Sequence, residues 1–295
     1  MEEVENYQEE FGITIIYSKE DEPLGTAGPL ALAMSHLEGT SFFVLNSDIA
    51  CNVDLNEMKD DFMRSHAIGI ILTYEVEDPT RYGLIMTEGN QIKSFMEKPK
   101  KIEGSGPWLI NAGIYVLSHE VLRYIELREM SIEKEVFPKL AEAGVLHAFK
   151  FEGYWMDIGQ PVDYLKGQQL AIENMETDDM LLNEIGATPV SQGAQYEPSE
   201  KPNGNVNKGY IDRKNNVVIG RNVKIGSNVN LKDCTLFENT VVENNVTVEN
   251  SIVGWGSRLQ KNCKILDFCV LGEGTIVQEG SCLKGCRTEP NSKFE

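Results

Sequence analysis

The sequence predicts two folds in one chain: an α/β domain over residues 1–176 and a parallel β-helix of hexapeptide repeats over residues 214–295, joined by a linker at 177–213. Three observations carry this. A length of 295 residues exceeds what one hydrophobic core ordinarily organises. Short apolar runs alternate with helix-like segments in the first part, whereas an aliphatic period of six fills the last. The charge divides in the same way. Of 27 Lys+Arg against 46 Asp+Glu, net −19, residues 216–295 carry nine of each sign, so the whole imbalance precedes them.

In the first part, Ile13-Thr-Ile-Ile-Tyr17 and Ser41-Phe-Phe-Val-Leu45 are compact β-branched or aromatic runs that predict strands, with helices over 28–36 and 56–66. Ala67-Ile-Gly-Ile-Ile-Leu-Thr-Tyr74 is nearly continuous in apolar residues, the pattern of a strand buried on both faces, and predicts parallel strands under helices. Further strands are predicted at 83–86, 92–95, 112–117 and 146–151. A helix over 161–173 opens with Pro161 in its first turn. Residues 177–213 lose periodicity, and Ser191-Gln-Gly-Ala-Gln-Tyr-Glu-Pro-Ser-Glu-Lys-Pro-Asn-Gly-Asn205 buries too little apolar surface to order itself.

The last part repeats. Ile219, Ile225, Leu231, Leu236, Val242, Val248, Val253, Leu259, Ile265, Leu271, Val277 and Leu283 are spaced by six, with two steps of five. Three positions after each stands Asn or Gly in eight of the twelve cases: Asn222, Asn228, Asn239, Asn245, Gly256, Asn262, Gly274 and Gly280. Both residue types tolerate the left-handed conformation of a sharp corner. One inward aliphatic and one corner every six residues, three faces to a coil, is a parallel β-helix. An antiparallel sheet would instead alternate with period two.

The acidic first part disfavours nucleic acid and anionic membranes as partners, because both require an excess of Lys and Arg. With no apolar run near membrane-spanning length and no secretory leader pattern at Met1, a cytoplasmic protein is expected. Six cysteines without a C-x-x-C pair and four scattered histidines point to buried or half-buried free thiols, with neither a zinc site nor a disulfide framework.

In an α/β domain, ligands bind beyond the carboxyl ends of strands, and few candidates lie there. Asp48, in Asn46-Ser-Asp48, follows the strand ending at Leu45; it reads as a turn or cap residue, or as a ligand of a hard divalent cation. Asp157, in Tyr154-Trp-Met-Asp-Ile-Gly159, follows an apolar strand and stands about four residues before its helix; it is a helix cap or the second carboxylate of a Mg²⁺ pair. Glu97-Lys98-Pro99 is a charged turn, or a site where Lys98 meets phosphate and Glu97 accepts from sugar hydroxyls. Pro23-Leu-Gly-Thr-Ala-Gly28 is a loop whose Gly25 and Gly28 let the backbone approach a planar ring; it lacks the Gly-Lys-[Ser/Thr] ending of a P-loop.

Taken together and in order, these motifs resemble the sugar-nucleotide pyrophosphorylases, most closely the GDP-mannose pyrophosphorylases (mannose-1-phosphate guanylyltransferases). The strings that carry the resemblance are Glu22-Pro-Leu-Gly-Thr-Ala-Gly-Pro-Leu-Ala-Leu-Ala33, Phe42-Phe-Val-Leu-Asn-Ser-Asp48, Arg81-Tyr-Gly83, Phe95-Met-Glu-Lys-Pro99, Asn111-Ala-Gly113, Ser131-Ile-Glu-Lys-Glu-Val-Phe-Pro138, Trp155-Met-Asp-Ile-Gly-Gln-Pro161 and Ser251-Ile-Val-Gly-Trp255. The resemblance implies a Rossmann-like nucleotidyltransferase domain followed by a left-handed β-helix. It implies in-line attack of mannose 1-phosphate on the α-phosphorus of GTP, giving GDP-mannose and pyrophosphate. Asp48 and Asp157 would hold Mg²⁺. Pro23, Leu24, Gly25, Thr26, Gly28 and Asn46 would meet the nucleotide, and Gly83, Glu97, Lys98 and Asn111 the sugar phosphate, Lys98 being counted with the two carboxylates as catalytic. Homo- or hetero-oligomers through the β-helix are implied too.

One part of the pattern is missing. The family opens with a strand and a Gly-Gly-x-Gly-Thr-Arg-Leu-x-Pro-Leu-Thr loop that grips the triphosphate, and Met1-Glu-Glu-Val-Glu-Asn-Tyr7 matches a helix that follows it. An N-terminally truncated domain, inactive as written, is therefore expected. The alternative is a non-catalytic regulatory or binding subunit of a complete pyrophosphorylase. Guanine and mannose rest on the resemblance, with another nucleoside triphosphate and hexose 1-phosphate as the alternative.

Overall fold

A computed structural model describes residues 8, 11–102, 104–175, 188–189, 204–206 and 209–294. The chain divides into two compact units, residues 1–47 with 53–153 and residues 48–52 with 154–295.

The first unit is α/β. After α1 (Gly28–Leu32) and α2 (Met34–Leu37) comes β1 (Ser41–Leu45), then the short β2 (Ile49–Cys51), which belongs to the second unit. α3 (Leu55–Arg64) starts at Asp54, whose carboxylate accepts from the Asn56 N–H at 2.8 Å, and it buries Met58 and Phe62, one helical turn apart. There follow β3 (Gly69–Val76), β4 (Gly83–Glu88), β5 (Gln91–Glu97), β6 (Trp108–Ser118), α4 (Phe137–Glu142) and β7 (Leu146–Lys150). The sheet order is β1-β6-β3-β7-β5-β4. Phe137 of α4 anchors the core beneath it, edge-on to Tyr115 at 4.9 Å between ring centroids and 5.5 Å from Phe95.

Three expectations are corrected here. The sheet is mixed: β6 runs antiparallel to both β1 and β3, and β3 is parallel to β7. β3 is indeed buried on both faces, but two-faced burial says nothing about a neighbour's direction. Residues 13–17 form no strand, and Ile13, Ile16 and Tyr17 are more than half exposed. Their β-branched composition describes what a strand would bury, while a strand forms only where a neighbour supplies backbone partners. The helix expected over 28–36 is interrupted at Ala33, whose ψ of 7° leaves the helical range.

In the second unit, β2 pairs antiparallel with β8 (Trp155–Asp157), and α5 (Pro161–Asn174) follows with Pro in its first turn, as predicted. α5 docks on the β-helix through Gln168, which donates from Nε2 to the Asn216 carbonyl at 3.1 Å, and through Ile172, buried with Ile211. This contact, with the β2–β8 pair, is why residues 154–175 group with the β-helix and not with the α/β unit to which the sequence assigned them. Most of the linker expected at 177–213 lies outside the described residues. Within that span, Tyr210–Asp212 is already a strand, antiparallel to Val217–Ile219.

The β-helix follows the repeat rung by rung. Ile219 stacks on Leu236, Leu236 on Val253 and Val253 on Leu271; Ile225, Val242, Leu259 and Val277 form a second column, and Leu231, Val248, Ile265 and Leu283 a third. All are buried except Leu231 and Leu283, which are half-buried. All eight predicted corner residues have positive φ, from 54° at Asn228 to 78° at Gly280. The corners add a side-chain ladder, with Asn228 donating to Asn245 and Asn245 to Asn262, each at 3.0 Å. Among the described residues, no helix is long and apolar enough to cross a membrane.

Candidate functional site

In the first unit, loop 23–28 is laid against residues 128–133. The Ala27 N–H donates to the Met130 carbonyl at 2.9 Å, and the Met130 N–H donates to the Leu24 carbonyl at 3.0 Å. Gly25 has φ +72°, and a Cβ there would lie 2.5 Å from the Met130 carbonyl oxygen; one at Gly28 would lie 2.4 Å from that of Arg128. The sequence suggested these glycines for close approach to a ring. On the side where a Cβ would point, the chain itself makes the close approach, so their first requirement is packing. Pro23, Gly25 and Thr26 remain exposed and Leu24 half-buried, so the outer side of the loop is open.

Thr26 joins this loop to a second group. Its Oγ1 donates to Glu133 Oε2 at 2.6 Å and accepts from the Ile132 N–H at 2.9 Å. Ser131 caps the turn Ile132–Val136, accepting from the Lys134 N–H and donating to Glu133 Oε2 at 2.8 Å. Glu133 faces Glu97, whose carboxyl is raised above its ordinary range, first by burial and then by the Glu133 charge, with Lys98 and Lys134 opposing.

Glu97 ends β5 directly opposite Gly83 of β4, and a Cβ on Gly83 would meet Phe95 at 2.7 Å and Glu97 Oε2 at 3.1 Å. Gly83 is therefore what leaves the Glu97 carboxylate its place. Lys98 has φ +45°, donates its N–H to the Tyr82 carbonyl at 3.0 Å and holds its ammonium 3.8 Å from Glu97 Oε1, mostly exposed. Asn111 donates from Nδ2 to the buried Tyr115 hydroxyl at 3.0 Å and accepts at Oδ1 from the Gly113 N–H. Burial, followed by the Glu133 charge, pushes the Tyr115 phenol up, so it stays neutral. The Asn46 N–H donates to the Gly113 carbonyl at 2.9 Å. Gly83, Glu97, Lys98 and Asn111, predicted from distant motifs, thus share one region with Asn46 at its margin. Glu133 and Tyr115 belong to it as well. Glu133 lies in one of the strings that carry the resemblance, but its connection to Thr26 spans 107 positions, so no local pattern assigns it a role.

The fold holds the Glu97 carboxyl protonated to higher pH than the unfolded chain does. Its contribution to stability is therefore present below the ordinary glutamate range and lost as pH rises through the raised folded value. Glu97→Gln is expected to raise the thermal midpoint at about pH 7, with the gain shrinking toward about pH 4. Melting curves at the two pH values check this, and an equal shift at both would refute the burial account.

In the second unit, the β2–β8 pair sets Ile49 opposite Asp157 and brings Asp48 alongside. The Ile158 N–H donates to the Asp48 carbonyl at 2.8 Å and the Gly159 N–H to Asp157 Oδ1 at 3.0 Å. A Cβ on Gly159 would lie 2.9 Å from Asp48 Oδ2 and 3.2 Å from Asp157 Oδ1. Both carboxylates therefore flank one point. Asp48 is exposed and Asp157 half-buried. No cluster of three or more His, Cys, Asp or Glu suited to a metal occurs among the described residues. Two carboxylates with open surroundings fit a hard divalent cation that keeps waters and takes phosphate oxygens as its remaining ligands.

Known proteins resemble the chain in both of its parts. Residues 1–174 match the model of the Nucleotidyl transferase family, and residues 203–295 match that of the GMPPB C-terminal domain. An Arabidopsis thaliana protein named "Probable mannose-1-phosphate guanylyltransferase 3" is 48% identical over 177 residues, covering 58% of this chain and 53% of that protein. The mannose-1-phosphate guanyltransferase of Saccharomyces cerevisiae is 44% identical over 181 residues, 59% of this chain and 49% of that protein. A Bacillus anthracis structure assigned as a glucose-1-phosphate thymidylyltransferase superposes with a TM-score of 0.53 at 25% identity, over 61% of this chain and 74% of that one. The chain belongs to the nucleotidyl transferase family. Within that family it is similar to mannose-1-phosphate guanylyltransferases. It spans about half the length of the curated relatives it matches.

Proposed function

We propose that the protein transfers a guanylyl group from GTP to mannose 1-phosphate, releasing pyrophosphate and forming GDP-mannose. The observation that carries this is the convergence of Asp48 and Asp157 on one point beside Gly159, in a chain whose relatives are mannose-1-phosphate guanylyltransferases. The two carboxylates would hold Mg²⁺, which neutralises phosphate charge and orients the α-phosphorus for in-line attack. Lys98 would meet the sugar phosphate, and Glu97, held in place opposite Gly83, would accept from sugar hydroxyls with Asn111 beside it. The outer side of loop 23–28, with Asn46, would face the base. No covalent nucleophile is needed, because positioning and charge neutralisation suffice.

The 295 residues contain no match to the Gly-rich loop that grips the triphosphate in the family the sequence resembles. The same reading therefore expects synthesis where that loop is supplied, and only product binding by this chain alone. Calorimetry with Mg²⁺ should show GDP-mannose binding, weakened tenfold or more in Lys98→Ala, about 1.4 kcal/mol. Pyrophosphate release from GTP and mannose 1-phosphate by the 295-residue chain alone would overturn the role given to the loop. Equal binding of GDP-mannose and ADP-glucose would remove the assignment of base and sugar. A non-catalytic subunit is distinguished by its failure to turn over even when a loop-bearing catalytic partner with an inactivated carboxylate pair is supplied.

A further inference from the structure

Three corners of the β-helix are lined by small residues, and at one of them the column reads Cys234, Ser251, Cys269, Cys286 on successive coils. Cys234 is in register with Ser251; Ser251 Oγ accepts from the Cys269 N–H at 3.2 Å; and the Val270 N–H donates to the Cys286 carbonyl at 2.8 Å, beside the parallel bridge from Val270 to Arg287. The last two rungs therefore place two thiols one above the other. Their sulfurs are 3.5 Å apart. Cys269 is fully buried and Cys286 half-buried, so one member of the pair is reachable from solvent.

We propose that Cys269 and Cys286 are the site of a reversible cross-coil disulfide that staples the last coil of the β-helix to the one before it. In-register parallel neighbours lie roughly 4.8 Å apart, inside the span of roughly 4.4–6.8 Å between Cα atoms that a disulfide bridges. The sulfurs already face each other, and closing the bond needs side-chain rotation and no change of register. The oxidant is a small-molecule disulfide. The Cys286 thiolate attacks one of its sulfurs, forming a mixed disulfide and expelling one thiolate. The Cys269 sulfur then attacks Cys286 Sγ and expels the second. Two protein thiols and one small disulfide thus become one protein disulfide and two small thiols, which take up the two protons.

The other cysteines have no such partner in register. Cys263 donates its S–H to the Gln278 carbonyl, and exposed Cys282 pairs across the coils with Lys264. Burial pushes the Cys286 thiol up to about 11, so it rests as a thiol at neutral pH and exchanges slowly.

The test is oxidation of the full 295-residue chain with glutathione disulfide, alkylation of remaining thiols, and mass spectrometry of a proteolytic digest. The expected product is a linked peptide pair containing Cys269 and Cys286, lighter by two hydrogens, formed within one chain and reversed by dithiothreitol. The oxidised chain should melt about 5 °C or more higher. Cys286→Ser, at a half-buried position that leaves the core intact, should lose both the linked peptide and the shift in midpoint, and Cys282→Ser should keep both. Free Cys269 and Cys286 after prolonged oxidation of the folded chain, or a link that engages Cys282, would overturn the proposal.

Discussion

Gly28→Ala is expected to destabilise the α/β unit by about 2–4 kcal/mol, far more than an alanine costs at an ordinary helix start. The new Cβ would sit 2.4 Å from the Arg128 carbonyl oxygen and 2.7 Å from Leu24 Cβ. Backbone cannot yield as the end of a long side chain can, so loop 23–28 must lift from residues 128–133. That movement breaks the Ala27-to-Met130 and Met130-to-Leu24 hydrogen bonds, and each buried group left unpaired costs roughly 1–3 kcal/mol. Gly39→Ala is the control: its φ of +78° imposes backbone strain, but nothing lies within 4 Å of the added Cβ, so a loss of about 1 kcal/mol is expected. Urea unfolding of both variants separates the two causes. A loss at Gly28 no larger than at Gly39 would mean that the new Cβ is accommodated without lifting the loop. Because Thr26 is tied to Glu133, a lifted loop should also disturb the neighbourhood of Glu97, and the Gly28 variant should bind GDP-mannose more weakly than its stability loss alone explains.

How much of this was legible in the sequence depends on whether a residue's role is repeated locally. The β-helix was readable almost to the residue because each coil restates the same instruction. Ile225 needs an aliphatic above it and Asn228 needs a corner, and Val242 with Asn245 meet the same needs one coil later. The α/β unit offers no such redundancy. Strand direction around β3 is set by which partner the long β6 finds, and no period records it. Residues 13–17 carry a strand's composition without a strand's neighbour. In the candidate site, Glu97 and Lys98 were legible as polar residues at a strand end and Asn111 only through the resemblance, whereas Glu133 was not, because its partner Thr26 lies 107 positions away. The purpose of Gly159 was equally hidden: its missing side chain leaves room for two carboxylates, one of them Asp48 from the far side of the sequence.

The largest functional effect is expected at that pair. Asp157→Asn should weaken Mg²⁺ binding at least a hundredfold, about 2.7 kcal/mol, since even outer-shell partners of a metal contribute ten- to a hundredfold. The amide keeps the shape of the carboxylate and can still accept from the Gly159 N–H, so the β2–β8 pairing and the thermal midpoint should change little. Gly159→Ala reaches the same end by another route. It leaves both carboxylates chemically intact but inserts a methyl group 2.9 Å from Asp48 Oδ2 and 3.2 Å from Asp157 Oδ1, forcing them apart. The readout is the dependence of GDP-mannose affinity on Mg²⁺, measured by calorimetry with and without the ion. In the parent chain Mg²⁺ should tighten binding; in both variants that dependence should be lost while the metal-free affinity stays or rises, because the charge facing the diphosphate is reduced or displaced. Preserved Mg²⁺ dependence in Asp157→Asn would remove Asp157 from the metal site. Preserved dependence in Gly159→Ala alone would show that the cation is held by one carboxylate, with Asp48 serving only the turn.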